Sequence, residues 1–460
     1  MAFIGAVADD LTGATTVGVL LARAGIKTAA FFNVEDITTE DTITTYEAII
    51  VSTNSRALSK EEARKRVRDA TCILKKTGIK QFSKRIDTTL RGGIGIEIDA
   101  MLSELGSNYV AIMVPAMPQS NRIMVGGYSI INSVPLSKTP VANDVRTPVR
   151  DSYVPRLIGN QTNRKIGHIV LDELFQGKEN LKKALSATRE SGAEILLVDA
   201  ATLEDIKIIA EAVVELQWDI LAVDPGPFTE AITSVKGIAK KENKLLSPIQ
   251  TKSENYKKID GTVLVVAGSA SPITAIQMST LKEFFSTYQV SINTSLVLKD
   301  GEIGLSEIEE TARQILSVLN RNDPPKIVLI ETALNGRVLN LSEEEEKYGL
   351  PPGQAANNIN FALGEIVYKV LDEASDKVIG LYTTGGDTMV SVCKAIEAKG
   401  IELLDYVIPQ ADFGRIIGGK FNRLNIIGKG GLTGNEKTAV DCVNRLFEEG
   451  KERLNLKQKV

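Results

Sequence analysis

The sequence predicts an α/β protein of two domains, each with a mostly parallel sheet covered by helices, and a ligand cleft between them. Short aliphatic runs alternate with stretches whose apolar residues recur at helical spacing, the pattern of strands joined by crossover helices. Aromatic residues make up only 5% of the chain, so its cores must be built from Ile, Val, Leu and Ala, as buried parallel strands are. The 460 residues exceed what one hydrophobic core usually organises, and a polar, aperiodic stretch divides the alternation into two series.

The first series opens with a strand over Phe3–Ala8 and a helix over Thr12–Ala24 that ends at Gly25, followed by strands over Lys27–Phe32 and Ala48–Ser52. Ser59 reads as the N-cap of a helix running to Lys76, with Glu61 and Glu62 in its first turn. Gln81–Arg85 and Tyr109–Val114 read as strands on either side of a helix over Gly95–Leu105. Pro115–Arg156, rich in Pro, Gly, Asn and Ser, is long for a loop and reads as a functional segment or an inserted hairpin. Strands resume at Ile166–Leu171, Glu194–Val198 and Ile220–Val223.

Lys240–Lys258 has no apolar period and reads as the linker. The domains are therefore 1–240 and 261–460, with 241–260 between them. The second series begins at Gly261-Thr-Val-Leu-Val-Val-Ala. It continues through strands near Val290 and over Lys326–Ile330, Val378–Tyr382 and Leu424–Ile427, and closes with a helix over Glu436–Glu449.

The composition narrows the functions available. A net charge of −4, from 54 basic and 58 acidic residues with no polybasic block, argues against a nucleic-acid partner. Cys72, Cys393 and Cys442 are odd in number and far apart, which fits neither a disulfide framework nor a zinc knuckle and suits a reducing compartment. The N-terminus lacks the basic start and apolar stretch of a signal peptide, and no run reaches the roughly 20 apolar residues a membrane span needs, so a cytoplasmic protein without membrane contact is expected. His168 is the sole histidine and reads as structural; proton transfer falls to a carboxylate or lysine.

The first strand runs into Ala8-Asp9-Asp10-Leu11-Thr12-Gly13-Ala14, and the end of a strand in an open α/β sheet is where ligands bind. Two adjacent acids repel unless they hold hydroxyls, a metal or a proton; one of the pair is read as a helix cap. Lys84-Arg85-Ile86-Asp87-Thr88-Thr89-Leu90-Arg91-Gly92-Gly93 also joins a strand to a helix. It suits a carboxylate ligand, held by Arg forks and helix-start N–H groups, equally as it suits a solvated charged turn. Pro115–Arg122, Gly126-Gly127 and Asn143-Asp144 follow another strand end and are placed near the same wall.

Three turns mark the second domain: Gly268-Ser269-Ala270-Ser271-Pro272, Thr384-Gly385-Gly386-Asp387-Thr388 and Lys429-Gly430-Gly431-Leu432-Thr433-Gly434. Each stands between a strand and a helix, where glycine admits close approach of an anion and free N–H groups receive it. Asp387 is placed to hold Mg²⁺ or to cap its helix. None of the turns is a Walker A or Rossmann fingerprint.

Together these motifs resemble the four-carbon acid sugar kinases, once grouped as a domain of unknown function. The pieces that match are Ala8–Ala14, Lys84-Arg-Ile-Asp-Thr-Thr-Leu-Arg-Gly92, Gly268-Ser-Ala-Ser-Pro-Ile-Thr274, Gly385-Gly-Asp-Thr388 and Lys429-Gly-Gly431. The resemblance implies an N-terminal acid-sugar domain, a C-terminal ATP domain, and phosphorylation of the terminal hydroxyl of a tetronate: threonate, erythronate or a 3-oxo-tetronate. Thr433 departs from the family, which tends to have Phe there.

On this reading Asp9, Asp10, Lys84, Arg85, Asp87 and Arg91 bind the acid, with Asp10 first and Asp87 second as the catalytic carboxylate. Ser269, Ser271, Gly385, Gly386, Asp387, Lys429, Gly430 and Gly431 bind ATP, with Asp387 on Mg²⁺. A nucleotide-independent acid-sugar aldolase or isomerase using Lys84 or a metal, and a non-catalytic sensor, are the alternatives. Which acid is used and whether copies associate into a homo-oligomer are not legible.

Overall fold

The structure, a computed structural model, describes residues 2–37, 40–144, 146–240, 259–298, 301–334 and 339–457. It divides into two compact units, Met1–Lys244 and Leu245–Val460. Most of the predicted linker, 241–258, lies outside the described residues.

The strands of the first unit are β1 (Ile4–Ala8), β2 (Thr28–Phe31), β3 (Ala48–Ser52), β4 (Gln81–Arg85), β5 (Val110–Met113), β6 (Arg122–Val125), β7 (Tyr128–Ile131), β8 (Val134–Pro135), β9 (Ile166–Ile169), β10 (Ile195–Val198) and β11 (Ile220–Asp224). Eight of them lie side by side in the order β2-β3-β1-β4-β11-β5-β10-β9. All seven pairings are parallel, as expected of strands buried on both faces. Leu181, Leu185, Ile206, Ile209 and Val213, from two crossover helices, pack with Ile112, Leu196 and Ala222 of β5, β10 and β11. Each such side chain contributes about 1.5–3 kcal/mol of burial.

Register matters most for function. Ala8 at the end of β1 lies opposite Ser52 of β3 and Arg85 of β4. The three segments that follow, Asp9-Asp10, Thr53–Arg56 and Ile86–Gly93, therefore start from one edge.

Pro115–Arg156 contains an inserted hairpin, as its sequence allowed. β6, β7 and β8 form a small antiparallel sheet, continued by single-turn helices at Leu136–Lys138 and Pro140–Asn143.

The second unit contains β12 (Thr262–Ala267), β13 (Thr287–Ser291), β14 (Ile327–Glu331), β15 (Val378–Thr384), β16 (Gly400–Ile408), β17 (Ala411–Ile417) and β18 (Asn425–Lys429), ordered β13-β14-β12-β15-β18-β17-β16. The first five are parallel; β17 and β16 are antiparallel. The sequence reading named no strand in 400–417. Its hairpin is half-buried and carries Glu402, Asp405 and Arg415 among apolar residues, so no aliphatic run announces it. Here too the register is flush: Ala267 lies opposite Thr384, and Thr384 opposite Lys429. The three glycine turns consequently stand side by side at the ends of β12, β15 and β18. No helix among the described residues is long and apolar enough to cross a membrane.

Candidate functional site

Asp10 caps the helix Leu11–Arg23, its Oδ1 accepting from the Gly13 N–H at 2.7 Å, so one acid of the pair is indeed a cap. Asp9 accepts two hydrogen bonds from Arg56, at 2.7 Å from Nε and 3.1 Å from Nη2. The same guanidinium places Nη1 2.6 Å from Asp10 Oδ2 and Nη2 3.9 Å from Asp87 Oδ1. Arg85 Nη1 lies 3.3 Å from Asp10 Oδ1 and 3.7 Å from Asp9 Oδ1. That approach requires Gly13, because a Cβ there would stand 2.0 Å from Arg85 Nη1.

Asp87 accepts from Thr89 Oγ1 at 2.5 Å and Arg91 Nε at 2.7 Å. Arg91 continues to Asp144 Oδ2 at 3.3 Å, and the Arg146 and Thr147 N–H groups pin the other Asp144 oxygen. The sequence motifs around Asp9, Asp87 and Asp144 thus meet in one network of four carboxylates and three guanidinium groups.

Burial alone would push the Asp9 carboxyl up, but Arg56, Lys84 and Arg85 outweigh it and hold it below the ordinary range. Asp87 likewise overcomes burial through Arg56, Arg91 and Arg85 and is held far below the usual carboxylate value. Burial opposes the charge of Arg56, and Asp9, Asp10 and Asp87 more than restore it. All three arginines therefore face acids that stay ionised.

Lys84 is placed differently from its neighbours. It has no exposed surface, and its ammonium sits 2.7 Å from buried Glu97 while donating to the Arg85 and Val7 carbonyls. Glu97 in turn accepts from Ser55 Oγ at 2.5 Å, and the Ser55 N–H donates to the Asp9 carbonyl. Lys84 thus braces the network from behind, and the expectation of a direct ligand contact does not match its placement.

Sequence reasoning missed Arg56, the hub. Its signal was Thr53-Asn-Ser-Arg56 directly after β3, at the edge shared with Asp9 and Arg85, with Asn54 in the left-handed region (φ 46°). It also gave no separate weight to Gln119 and Arg122. Gln119 Oε1, Arg122 Nε and Arg85 Nε are buried polar atoms without a protein partner, the condition a polar ligand would relieve.

In the second unit Ser271 caps the helix Pro272–Phe284, and its Oγ also donates to the Gly431 carbonyl at 2.6 Å. Thr274 Oγ1 reaches the same carbonyl at 3.1 Å, and the Gly385 N–H donates to the Lys429 carbonyl at 2.9 Å. The three turns are therefore stitched together. Their glycines are forced: a Cβ on Gly268 would stand 2.2 Å from Thr388 Oγ1, and one on Gly431 2.6 Å from Ser269 Oγ. Gly385 has φ +109°.

The helix Gly386–Ala395 opens here with the N–H groups of its first turn free of intrahelical acceptors, and Asp387 is exposed on that turn. Lys429 curls over its own turn, donating to the Gly430 carbonyl at 2.7 Å and the Thr433 carbonyl at 3.3 Å; burial lowers its pKa to about 8. Thr433, the departure from the family pattern, donates through Oγ1 to Gln410 Oε1 at 3.0 Å and so ties the turn to the β16–β17 hairpin loop.

Elsewhere His168 is structural, its Nε2 2.9 Å from Asp199, which also accepts from the Gly126 and Gly127 N–H groups.

A family model described as a sugar-binding N-terminal domain matches residues 4–232, and one described as a nucleotide-binding C-terminal domain matches 264–439. The chain is 38% identical over 443 residues to a D-erythronate kinase of Heliobacterium modesticaldum, covering 96% of each chain. It is 25% identical to a D-threonate kinase of Salmonella typhimurium, covering 96% of this chain and 98% of the relative. The crystal structure of a Haemophilus influenzae protein of the DUF1537 family shares the fold, with a TM-score of 0.70 at 21% identity over 95% of this chain and 98% of the other. On this match along nearly its whole length, the chain belongs to the four-carbon acid sugar kinase family and is a kinase.

Proposed function

We propose that this kinase transfers the terminal phosphoryl group of ATP to the 4-hydroxyl of a four-carbon sugar acid in carbohydrate-acid breakdown, with D-erythronate the foremost candidate because the 38% identical relative is named for it. The observation that carries the reading is the aspartate–arginine network. Guanidinium groups suit a carboxylate, ionised aspartates suit hydroxyls, and a sugar acid presents both. Arg85, Arg91 and Arg122 supply N–H groups to the acid end, and Asp9, Asp10 and Asp87 accept from its hydroxyls. Arg56 fixes the aspartates, and Lys84 with Glu97 holds the strand ends beneath them.

Asp10 is 27% exposed at its side chain, against 4% for Asp9 and 8% for Asp87, so it is the carboxylate best able to meet an incoming alcohol. The substrate oxygen forms a bond to the γ-phosphorus, the bond to the ADP oxygen breaks, and the alcohol proton passes to Asp10. Such transfers need positioning and charge stabilisation more than covalent help.

For ATP, the candidates are Ser269, Ser271, the Gly385–Asp387 helix start and the Lys429–Gly431 turn. No group of three or more potential ligands for a metal occurs among the described residues. Mg²⁺ commonly takes one or two carboxylates plus phosphate oxygens, and exposed Asp387 beside the free N–H groups fits that donor set. When bound, Mg²⁺ would offset the charge of the phosphates. An enzyme fed by ATP is assigned to the cytoplasm.

The rival aldolase or isomerase chemistry loses its lysine. Lys84, the amine that chemistry would use, is sealed against Glu97 and has no exposed surface. A panel of D-erythronate, D-threonate and 3-oxo-tetronate with ATP, read by coupled ADP release, tests the proposal. One acid is expected to dominate, and Asp10→Asn, which keeps a good helix cap, should lower its kcat about 10²–10⁴-fold with nucleotide affinity unchanged. Turnover near the wild-type rate in that variant removes Asp10 from the chemistry, and no ADP release with any acid overturns the substrate class.

A further inference from the structure

The first unit also holds a cavity of about 550 Å³ lined on one side by Lys60, Glu61, Arg64, Lys65 and Arg68 and on the other by the 159–163 turn. Its lining shares no residue with the aspartate–arginine network.

Lys60, Arg64 and Arg68 recur at four-residue intervals, so they form one stripe of the helix Lys60–Lys76, with Lys65 beside it. Like charges at this spacing destabilise a helix, and cations near a helix N-terminus oppose its dipole. On another stripe of the same helix the ordinary remedy is present, with Glu62 pairing Arg66 at 2.8 Å. Along the helix the cavity stripe has only a loose, exposed pair of adjacent residues, Arg68 with Asp69 at 3.7 Å. Asp99 is shared between Arg64 at 3.0 Å and Arg164 at 2.6 Å, so its charge is already offset. Glu61 remains against Lys60, Lys65 and Arg68, and the lining is positive.

The opposite wall offers the amide and hydroxyl side chains of Asn160, Thr162 and Asn163. Gln161 of that wall is bound to the Arg91–Gly95 segment at both ends of its amide. Its Oε1 accepts from the Gly95 N–H at 2.8 Å, and its Nε2 donates to the Gly92 carbonyl at 3.3 Å. The contact is close-packed as well, because a Cβ on Gly95 would stand 2.8 Å from Gln161 Cβ. Gly92 directly follows Arg91.

We infer that this cavity is a regulatory site for a small, multiply charged phosphorylated metabolite, gripped by Lys60, Lys65 and Arg68 and sensed through Gln161 by the Arg91–Gly95 segment. Charge selects the phosphoryl group, and the amide wall receives hydroxyl or carboxylate oxygens. A bound anion draws the 159–163 turn toward the cationic stripe, and the Gln161 amide carries that displacement to the loop that positions Arg91 and Asp87. The coupling, unlike the binding, rests on the proposed role of that loop in holding the acid substrate.

The test uses the full-length protein and 3-phosphoglycerate as probe, followed by calorimetry without nucleotide, with glycerate as the control that lacks the phosphoryl group. Binding of 3-phosphoglycerate is expected, with at least tenfold weaker binding in Lys60→Ala/Lys65→Ala/Arg68→Ala and little binding of glycerate. Equal affinity in wild type and the triple variant, or no binding to either, overturns the site. In steady-state assays the probe should change the KM for the acid at least twofold in wild type and leave the triple variant unaffected, whose kcat without probe stays within twofold of wild type. Binding without a change in KM overturns the coupling. Absence of turnover with every acid strikes the proposed reaction instead, and leaves the calorimetric result standing as the measure of the site.

Discussion

The two units build their strand-end surfaces from opposite materials. The first arranges charged side chains: four carboxylates and three guanidinium groups already paired with one another. The second arranges backbone, with three glycine turns stitched by Ser271, Thr274 and the Gly385 N–H. Buried ion pairs are expensive to break singly, because the partner left behind is desolvated and uncompensated. Glycine turns are cheap in charge and intolerant in space. Damage to the first unit should therefore appear in both stability and chemistry, and damage to the second chiefly in affinity.

Arg56 offers the largest test of that contrast. Arg56→Ala leaves Asp9 without its bidentate partner in a buried setting and should cost about 3–5 kcal/mol in thermal or urea unfolding. Arg56→Lys keeps one charge but not the fork that reaches three aspartates, and should fold while losing about 100-fold in kcat/KM for the acid. Full activity in the lysine variant would show that the hub holds structure only.

The same pairs predict acid sensitivity. Asp9 and Asp87 have lowered folded values, so their stabilisation is present above about pH 4, the unfolded carboxylate range, and drains as pH falls toward those lowered values. Arg56→Ala, by raising the folded values, should flatten that acid limb in unfolding curves recorded from pH 5 to pH 2.

Much of this contrast was legible in the sequence. The runs at Ala8–Ala14 and Lys84–Gly92 announce themselves because several charged residues sit together at strand ends, and the register of β1 with β4 joins them. Arg56 was not legible, since one arginine among Thr, Asn and Ser looks like any exposed turn until the pairing of β3 with β1 is known. Lys84 misled for the reverse reason. Alternation along β4 turns it away from Arg85, toward Glu97, and the acid that claims it lies 13 residues further on in a helix. The β16–β17 hairpin stayed hidden because Glu402, Asp405, Asp412 and Arg415 interrupt its apolar residues.

Gly13→Ala sharpens the comparison at an intermediate size. The added Cβ falls 2.0 Å from Arg85 Nη1, and a long side chain can move aside, so unfolding should change by less than about 1 kcal/mol. Arg85 can no longer lie against Asp10, and kcat/KM for the acid should fall about tenfold. An equal loss in Gly431→Ala, whose Cβ meets Ser269 Oγ at 2.6 Å, is expected in nucleotide KM instead. If both variants alter the same kinetic constant, the division of labour between the units is wrong.

The smallest effect is the most diagnostic. Lys429 is lowered to about 8 by burial, against an ordinary lysine value of 10.5. Between those values the unfolded chain holds a proton that the folded chain has lost, so stability should rise with pH across that window. Nucleotide binding should move the other way, because the turn loses its positive charge and the phosphates lose an attraction; the nucleotide KM should grow about threefold to tenfold from pH 7 to pH 9. Cys442 and Tyr382 nearby are both pushed up by burial, Tyr382 well above its usual value, so neither competes in that range. Lys429→Met should erase both slopes together, leaving a raised but pH-independent KM. Two opposite slopes abolished by one substitution would tie the ammonium to the nucleotide turn, whereas a KM slope that survives in the variant would assign it to another group and leave Lys429 as the clasp of its own loop.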